Sequence, residues 1–108
     1  MFAKKYRINS RDFLSILKKG KRFLFPQGLI YVLYTKNSPR IAIAVSKKEE
    51  KTSVGRHRIK RRMAYAFKKY KLPAGDLLVF AKAKAKQEKY EVLEKEIGIV
   101  LDKIAKNC

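Results

Sequence analysis

The sequence predicts an α/β fold, a two-layer sandwich of helices on a small mixed sheet, with a βαβ crossover that runs through a strongly basic helix. Three observations carry that prediction. Apolar residues recur at helical spacing in two long stretches, Val54 to Lys71 and Glu88 to Asn107. Runs rich in β-branched and aromatic residues stand before and between them, at Leu29 to Thr35, Arg40 to Ser46 and Asp76 to Ala81. Turn chemistry divides the segments, Asn37-Ser38-Pro39 in one place and Leu72-Pro73-Ala74-Gly75 in another. With 108 residues, 46% of them hydrophobic, a single domain over 1–108 with one core is expected.

Taken in order, Met1 to Arg7 reads as a loose basic arm. Asn9 or Ser10 can cap a short helix with Asp12 in its first turn, Phe13, Ile16 and Leu17 facing inward, and Gly20 at the C′ position. Lys21 to Gly28 is a connection from which Phe23 to Phe25 can supply a further strand. Leu29 to Thr35 is long enough for a strand buried on both faces. Arg40 to Ser46 alternates Ile41, Ile43 and Val45 with Ala42, Ala44 and Ser46, giving one bulky face and one small face. The short turn between them predicts that these two strands pair antiparallel. Ser46 to Lys51 is a polar loop, and Thr52 or Ser53 caps the helix that follows. After the strand at Asp76 to Ala81, Lys82, Lys84 and Lys86 alternate with small residues in a loop.

The two long helices differ in kind. In the first, Ile59, Met63, Ala66, Phe67 and Tyr70 form one apolar stripe. Opposite it fall Arg58, Arg61, Arg62, Lys68 and Lys69, with Tyr65 among them and Lys60 and Lys71 at the flanks. Arg56, Arg58 and Lys60 stand at the positive end of the helix dipole, where each costs about 0.3–1 kcal/mol at low salt. No acidic residue lies between Glu50 and Asp76 to offset them. A merely solvated face would carry Asp or Glu at that end. Arginine instead suits the pairwise grip of a planar guanidinium on phosphate oxygens. The last helix, by contrast, has most of its acids in the first half and Lys103 and Lys106 in the last turn, as the dipole favours.

A formal net charge of +19 draws polyanions, nucleic acid first and an anionic membrane surface second. No stretch approaches the roughly 18 apolar residues of a membrane span, and MFAKKYRINSRDF lacks the apolar core of a signal peptide. Cys108 is the only cysteine, so no intrachain disulfide can form, and a cytoplasmic, reduced setting is expected. The nine acidic residues are scattered, His57 is the only histidine, and no GxSxG, HExxH or Gly-rich phosphate loop occurs. No catalytic side chains and no protein-held metal are therefore expected, and His57 suits a phosphate contact better than acid–base work. Phe13, Tyr31, Tyr34, Tyr65 and Phe80 can stack unpaired bases, although core packing is the simpler account of any one of them. Strand alternation puts Tyr31 and Tyr34 on opposite faces. Composition alone fits a ribosomal or other structural RNA-binding protein as well. The scattered acids argue against a self-sufficient metal-dependent nuclease, and the need to bury the apolar stripe argues against a membrane-surface protein.

The run Arg40 to Phe67, RIAIAVSKKEEKTSVGRHRIKRRMAYAF, resembles the protein component of bacterial ribonuclease P. In that family a strand ending in Ser-Lys-Lys leads through a short loop into an Arg-Asn-Arg-x-Lys-Arg helix. Here Ser46-Lys47-Lys48 and Arg56-His57-Arg58-Ile59-Lys60-Arg61 take those places. Asp12-Phe13, the glycine after the first helix and Leu33-Tyr34 fit the same pattern. The resemblance implies a left-handed βαβ crossover, where the general rule, right-handed in about 98% of cases, gives the opposite hand. It implies a subunit that binds a catalytic RNA and the 5′ leader of precursor tRNA and assists endonucleolytic removal of the leader. The RNA, with Mg²⁺ bound mainly by it, carries out the hydrolysis. The implied partners are that RNA, with one protein per RNA, and precursor tRNA, with no membrane and no DNA. By position, Arg56, His57, Arg58, Lys60 and Arg61 would meet RNA, and the rest of the basic face, Arg62, Tyr65, Lys68 and Lys69, extends that surface. Phe13, Tyr34, Ser46 and Lys47 would line the leader cleft. The chain departs from the pattern in three places. His57 replaces the motif asparagine, and Ala64 stands where an arginine is usual, with Arg62 adding one a half-turn earlier. The loop from Lys48 to Arg56 is a residue longer and has Glu50 in place of a glycine.

Overall fold

The computed structural model describes residues 7–107. The basic arm predicted over Met1 to Arg7 lies, apart from Arg7, outside the described residues, as does Cys108. A 3-10 turn at Ser10–Asp12 leads into α1 (Phe13–Lys19). Then come β1 (Lys21–Phe25), β2 (Gly28–Leu33), β3 (Arg40–Ala44), α2 (Ser53–Lys68), β4 (Asp76–Ala81), α3 (Lys84–Gln87) and α4 (Tyr90–Lys106). The four strands form one mixed sheet in the order β1-β2-β4-β3.

That order corrects the expected hairpin. β2 does not pair with β3, because β4 lies between them, antiparallel to β2 and parallel to β3. Inserting β4 gives the apolar run Leu77 to Val79 a neighbour on each side and buries it completely. α2 is then the crossover of a parallel β3-α2-β4 unit. The connection between Lys21 and Gly28 contains a full strand, paired with β2 from Lys21↔Val32 to Phe25↔Gly28. β2 is fully buried on one face only, at Gly28, Ile30 and Val32, and half-buried on the other.

α2 and α4 cover the first face. Ile59, Met63, Ala66 and Phe67 of α2 and Leu93, Ile97, Val100, Leu101 and Ile104 of α4 join Ile30, Val32, Ile41, Leu77 and Val79 in the main core. Both apolar stripes are thus placed as their spacing requires. α1 lies on the opposite face, where Ile16 packs with Ile8 and Leu78. α1 is only two turns long, so it shields part of that face, and Leu17, expected to face inward, is 40% exposed.

Two helix ends differ from expectation. Gly20 follows α1 in an extended conformation (φ −73°, ψ 150°), not a left-handed one. Its need is for space, since a Cβ there would sit 2.4 Å from the Ile16 carbonyl oxygen. α2 stops at Lys68 rather than Lys71, because the amides of Lys69 and Tyr70 donate to the carbonyls of Ala66 and Phe67 and tighten the last turn. Gly75, at φ 120°, supplies the conformation from which the chain enters β4. Lys84 to Gln87, expected as loop, forms the single turn α3, which packs Ala85 into the main core.

Candidate functional site

Thr52 caps α2 as its sequence position suggests, its Oγ1 accepting from the amide of Gly55 at 3.0 Å. The end of the helix is not bare of acid, however. Glu50 folds back so that its Oε1 accepts from the Thr52 amide and hydroxyl, while its Oε2 pairs with Lys86 at 3.0 Å. The Lys86 ammonium, with the Thr52 amide behind it, holds the Glu50 carboxyl below the usual carboxylate range. A carboxylate from the preceding loop thus does what the first turn of α2 lacks.

The cations of α2, and Lys69 just past its end, differ in what they touch. The Arg56 guanidinium donates to the carbonyls of Glu50 and Lys51 at 3.1 and 2.9 Å and to Ser53 Oγ at 3.2 Å, so it ties the loop to the helix. Arg62 donates to the carbonyl of Lys86 at 2.9 Å and to that of Glu88, binding the α3–α4 junction. Lys69 pairs with Glu94 at 3.2 Å and sits 5.1 Å from the centre of the Tyr90 ring. The hydrogen bond to Glu94 raises the Lys69 pKa. These three serve the fold. His57, Arg58 and Arg61 are exposed, Lys60 is half-buried, and none of the four has a side-chain partner among the described residues. Tyr65, 60% exposed, lies beside them. Arg61, Ala64, Tyr65 and Lys68 line a shallow depression of about 140 Å³.

The expected leader cleft does not assemble as one surface. Phe13 packs beside Tyr31, Leu33, Ala42 and Phe80 on the α1 face, where the Tyr31 and Phe80 rings meet edge-on, 5.8 Å apart at 87°. Tyr34 is on the other face, packed on the main core, with its hydroxyl donating to the Ile104 carbonyl of α4 at 2.8 Å. The alternation that separates Tyr31 from Tyr34 decides this, and Tyr31 is the tyrosine near Phe13. Ser46 and Lys47 are exposed just past the end of β3, whose Ala42 and Ala44 keep this face shallow. Ser46 Oγ also accepts from the Glu49 amide at 3.3 Å.

One anchor of this face is invisible to sequence reasoning. Arg40 lies opposite Asp76 in the parallel register and grips it with two 2.8 Å bonds, and a third nitrogen reaches Asp12 at 3.3 Å. Asp76 is buried, and its hydrogen bonds raise the Arg40 pKa further. Asp12 immediately precedes Phe13, so this network fastens α1 to the sheet. Its only trace in the sequence is that the two parallel strands each begin with a charge, one of each sign.

Among the described residues no group of three His, Cys, Asp or Glu is placed to hold a metal ion. Five carboxylates are committed to cations: Asp12 and Asp76 to Arg40, Glu94 to Lys69, Glu50 to Lys86 and Asp102 to Lys106. No described helix is long and apolar enough to cross a membrane.

Comparison with known proteins agrees with the resemblance. The Ribonuclease P family model matches residues 2–105. The ribonuclease P protein component of Aliivibrio salmonicida is 35% identical over 95% of this chain and 88% of its own length. A Staphylococcus aureus RNase P protein mutant with defective mRNA degradation activity superposes with a TM-score of 0.82 at 36% identity, covering 95% of this chain and 90% of that one. The RNase P protein from Thermotoga maritima shares the fold at a TM-score of 0.79 and 23% identity, over 90% of this chain and 96% of its own. The chain belongs to the ribonuclease P protein family, the protein components of a ribonucleoprotein endoribonuclease of tRNA processing, and its partner in that enzyme is ribonuclease P RNA.

Proposed function

We propose that this chain, working as one RNA-binding domain in the cytoplasm with one copy per ribonuclease P RNA, uses its two faces for two RNAs. The outer face of α2, with His57, Arg58, Lys60, Arg61 and Tyr65, lies against the ribonuclease P RNA. The sheet face around Phe13, Tyr31 and Phe80, with Ser46 and Lys47 at its rim, takes the single-stranded 5′ leader of precursor tRNA. One observation carries the reading: His57, Arg58, Lys60 and Arg61 have no side-chain partner among the described residues, and no acid in the first turn of α2 offsets their charge. The half-buried rings supply stacking surfaces, which accept any base because every base has a π-face. Hydrolysis belongs to the RNA and its Mg²⁺. Five of the protein's nine acidic side chains are tied to Arg40, Lys69, Lys86 and Lys106, which makes them poor Mg²⁺ ligands.

Reconstitution with a bacterial ribonuclease P RNA at low Mg²⁺ tests this. Cleavage at the mature 5′ end should need the RNA, and cleavage by RNA-free protein would overturn the assignment. Phe13→Ala or Tyr31→Ala should weaken precursor tRNA more than mature tRNA, by about 1–3 kcal/mol for each base that no longer stacks. Tyr34→Ala should lower stability without that discrimination.

A further inference from the structure

Arg62 of α2 and two carboxylates of the loop before it converge on one short segment. Arg62 holds the carbonyls of Lys86 and Glu88, Glu49 accepts from the amide of Ala83 at 2.9 Å, and Glu50 pairs with Lys86. Residues 83–88 are thereby clamped between the loop before α2 and Arg62 in the second half of the helix. Lys82, Lys84 and Lys89 remain exposed, and none of them has an ion-pair partner among the described residues. Glu49 and Glu50, which reach the segment from the loop before α2, are spent on a backbone amide and on Lys86. Glu88 is the segment's one acid, half-buried at its end.

A solvated lysine segment has no reason to be fastened by an arginine and two glutamates to a helix that is already basic. At physiological salt the screening length is about 8 Å, so charges on two packed elements repel with little screening. The arrangement gathers positive charge against that cost. Ala85 packs into the main core, so the segment lies on the α2 side of the sheet, away from Phe13.

We infer that Lys82, Lys84 and Lys89 continue the exposed face of Arg58 and Arg61 into one phosphate-binding surface, whose ligand is the backbone of the ribonuclease P RNA. The inference rests on α2 being the face that meets that RNA. Arg62 is then the joint that sets the two parts of the surface side by side. Phosphate contacts of this kind position an RNA and carry no sequence preference.

The test compares two triple variants of equal charge in direct binding to ribonuclease P RNA across a salt series. Lys82→Gln, Lys84→Gln and Lys89→Gln together should flatten the dependence of log K on log salt by about 0.7–0.9 for each phosphate no longer neutralised, and weaken binding about tenfold or more. Lys18→Gln, Lys19→Gln and Lys103→Gln, at the C-terminal ends of α1 and α4, remove the same charge and should leave the slope unchanged. Equal slopes for the two triples, or no change in the first, would overturn the inference. Arg58→Gln is measured alongside. If it flattens the slope and the first triple does not, the extension alone fails. If neither does, the assignment of α2 fails with it.

Discussion

α2 and α4 lie side by side on one face of the sheet, bury similar apolar stripes, and treat charge in opposite ways. α4 has Glu91 in its first turn, Lys103 and Lys106 in its last, and an Asp102–Lys106 pair one turn apart at 3.1 Å. Every one of those choices favours the helix as a helix. α2 has no acid in its first turn and borrows one from the loop before it. Arg56 and Arg62, with Lys69 just past its end, tie the fold together, whereas Arg58, Lys60 and Arg61 have no side-chain partner among the described residues. A run of charge is therefore not a unit. Which cations are available to a partner is decided by what lies within reach of each side chain.

The equivalence of the inward faces carries the largest expected effect. Ile59 of α2 and Ile97 of α4 are both fully buried. Ile59→Ala and Ile97→Ala should each cost about 2–5 kcal/mol by denaturant unfolding. A much smaller loss at Ile59 would mean that α2 is not held by its core face, and its charges would need another account.

The division among the cations comes next in size. Arg62→Ala removes two hydrogen bonds from a charged donor to the α3–α4 junction and should cost about 1–3 kcal/mol. Arg56→Gln should cost about 1 kcal/mol, since it releases the carbonyls of Glu50 and Lys51. The helix dipole alone predicts a small gain at Arg56 instead, so thermal melts of these variants read the two contributions directly.

Much of this contrast between helices is legible in the sequence, because it depends on spacing. The stripes of both helices, the cap at Thr52 and the small face of β3 follow from local pattern, and the structure keeps them. What the sequence does not yield depends on residues far apart along the chain. Arg62 reaches carbonyls 24 and 26 residues away, and Arg40 reaches a carboxylate 36 residues away. The expected β2–β3 hairpin fails for the same reason. A short turn favours local pairing, but the apolar run of β4 gains more from a neighbour on each side. Motif position puts Tyr34 in the cleft, whereas strand alternation already sets it on the face opposite Tyr31.

Glu50 offers a smaller effect and a definite sign. Its carboxyl is held below the ordinary range, first by Lys86 and then by Thr52, so the folded state favours its ionised form. The stability it contributes is present above the unfolded glutamate pKa, about 4.3, and is lost as pH falls through and below that value. Glu50→Gln should therefore flatten the acid limb of the pH–stability profile. Lys86→Gln should do the same, because it removes the first cause. An acid limb unchanged in both would detach Glu50 from the start of α2.

The smallest expected effect on folding is at Arg58, and it is the most telling for function. Its guanidinium touches no partner among the described residues and sits in the first two turns of α2. Arg58→Gln relieves repulsion with the helix dipole, so the isolated protein should gain a few tenths of a kcal/mol. Affinity for ribonuclease P RNA should fall all the same, and the log K–log salt slope should flatten by about 0.7–0.9 if Arg58 neutralises one phosphate. Lys103→Gln in α4 is the matched control. It removes a charge that the dipole favours, so stability should drop slightly while RNA affinity holds. Opposite signs in stability and a slope change confined to Arg58 would establish that the two helices use charge for different ends. A salt slope unaffected by Arg58→Gln would leave the exposed cations of α2 without an RNA to meet.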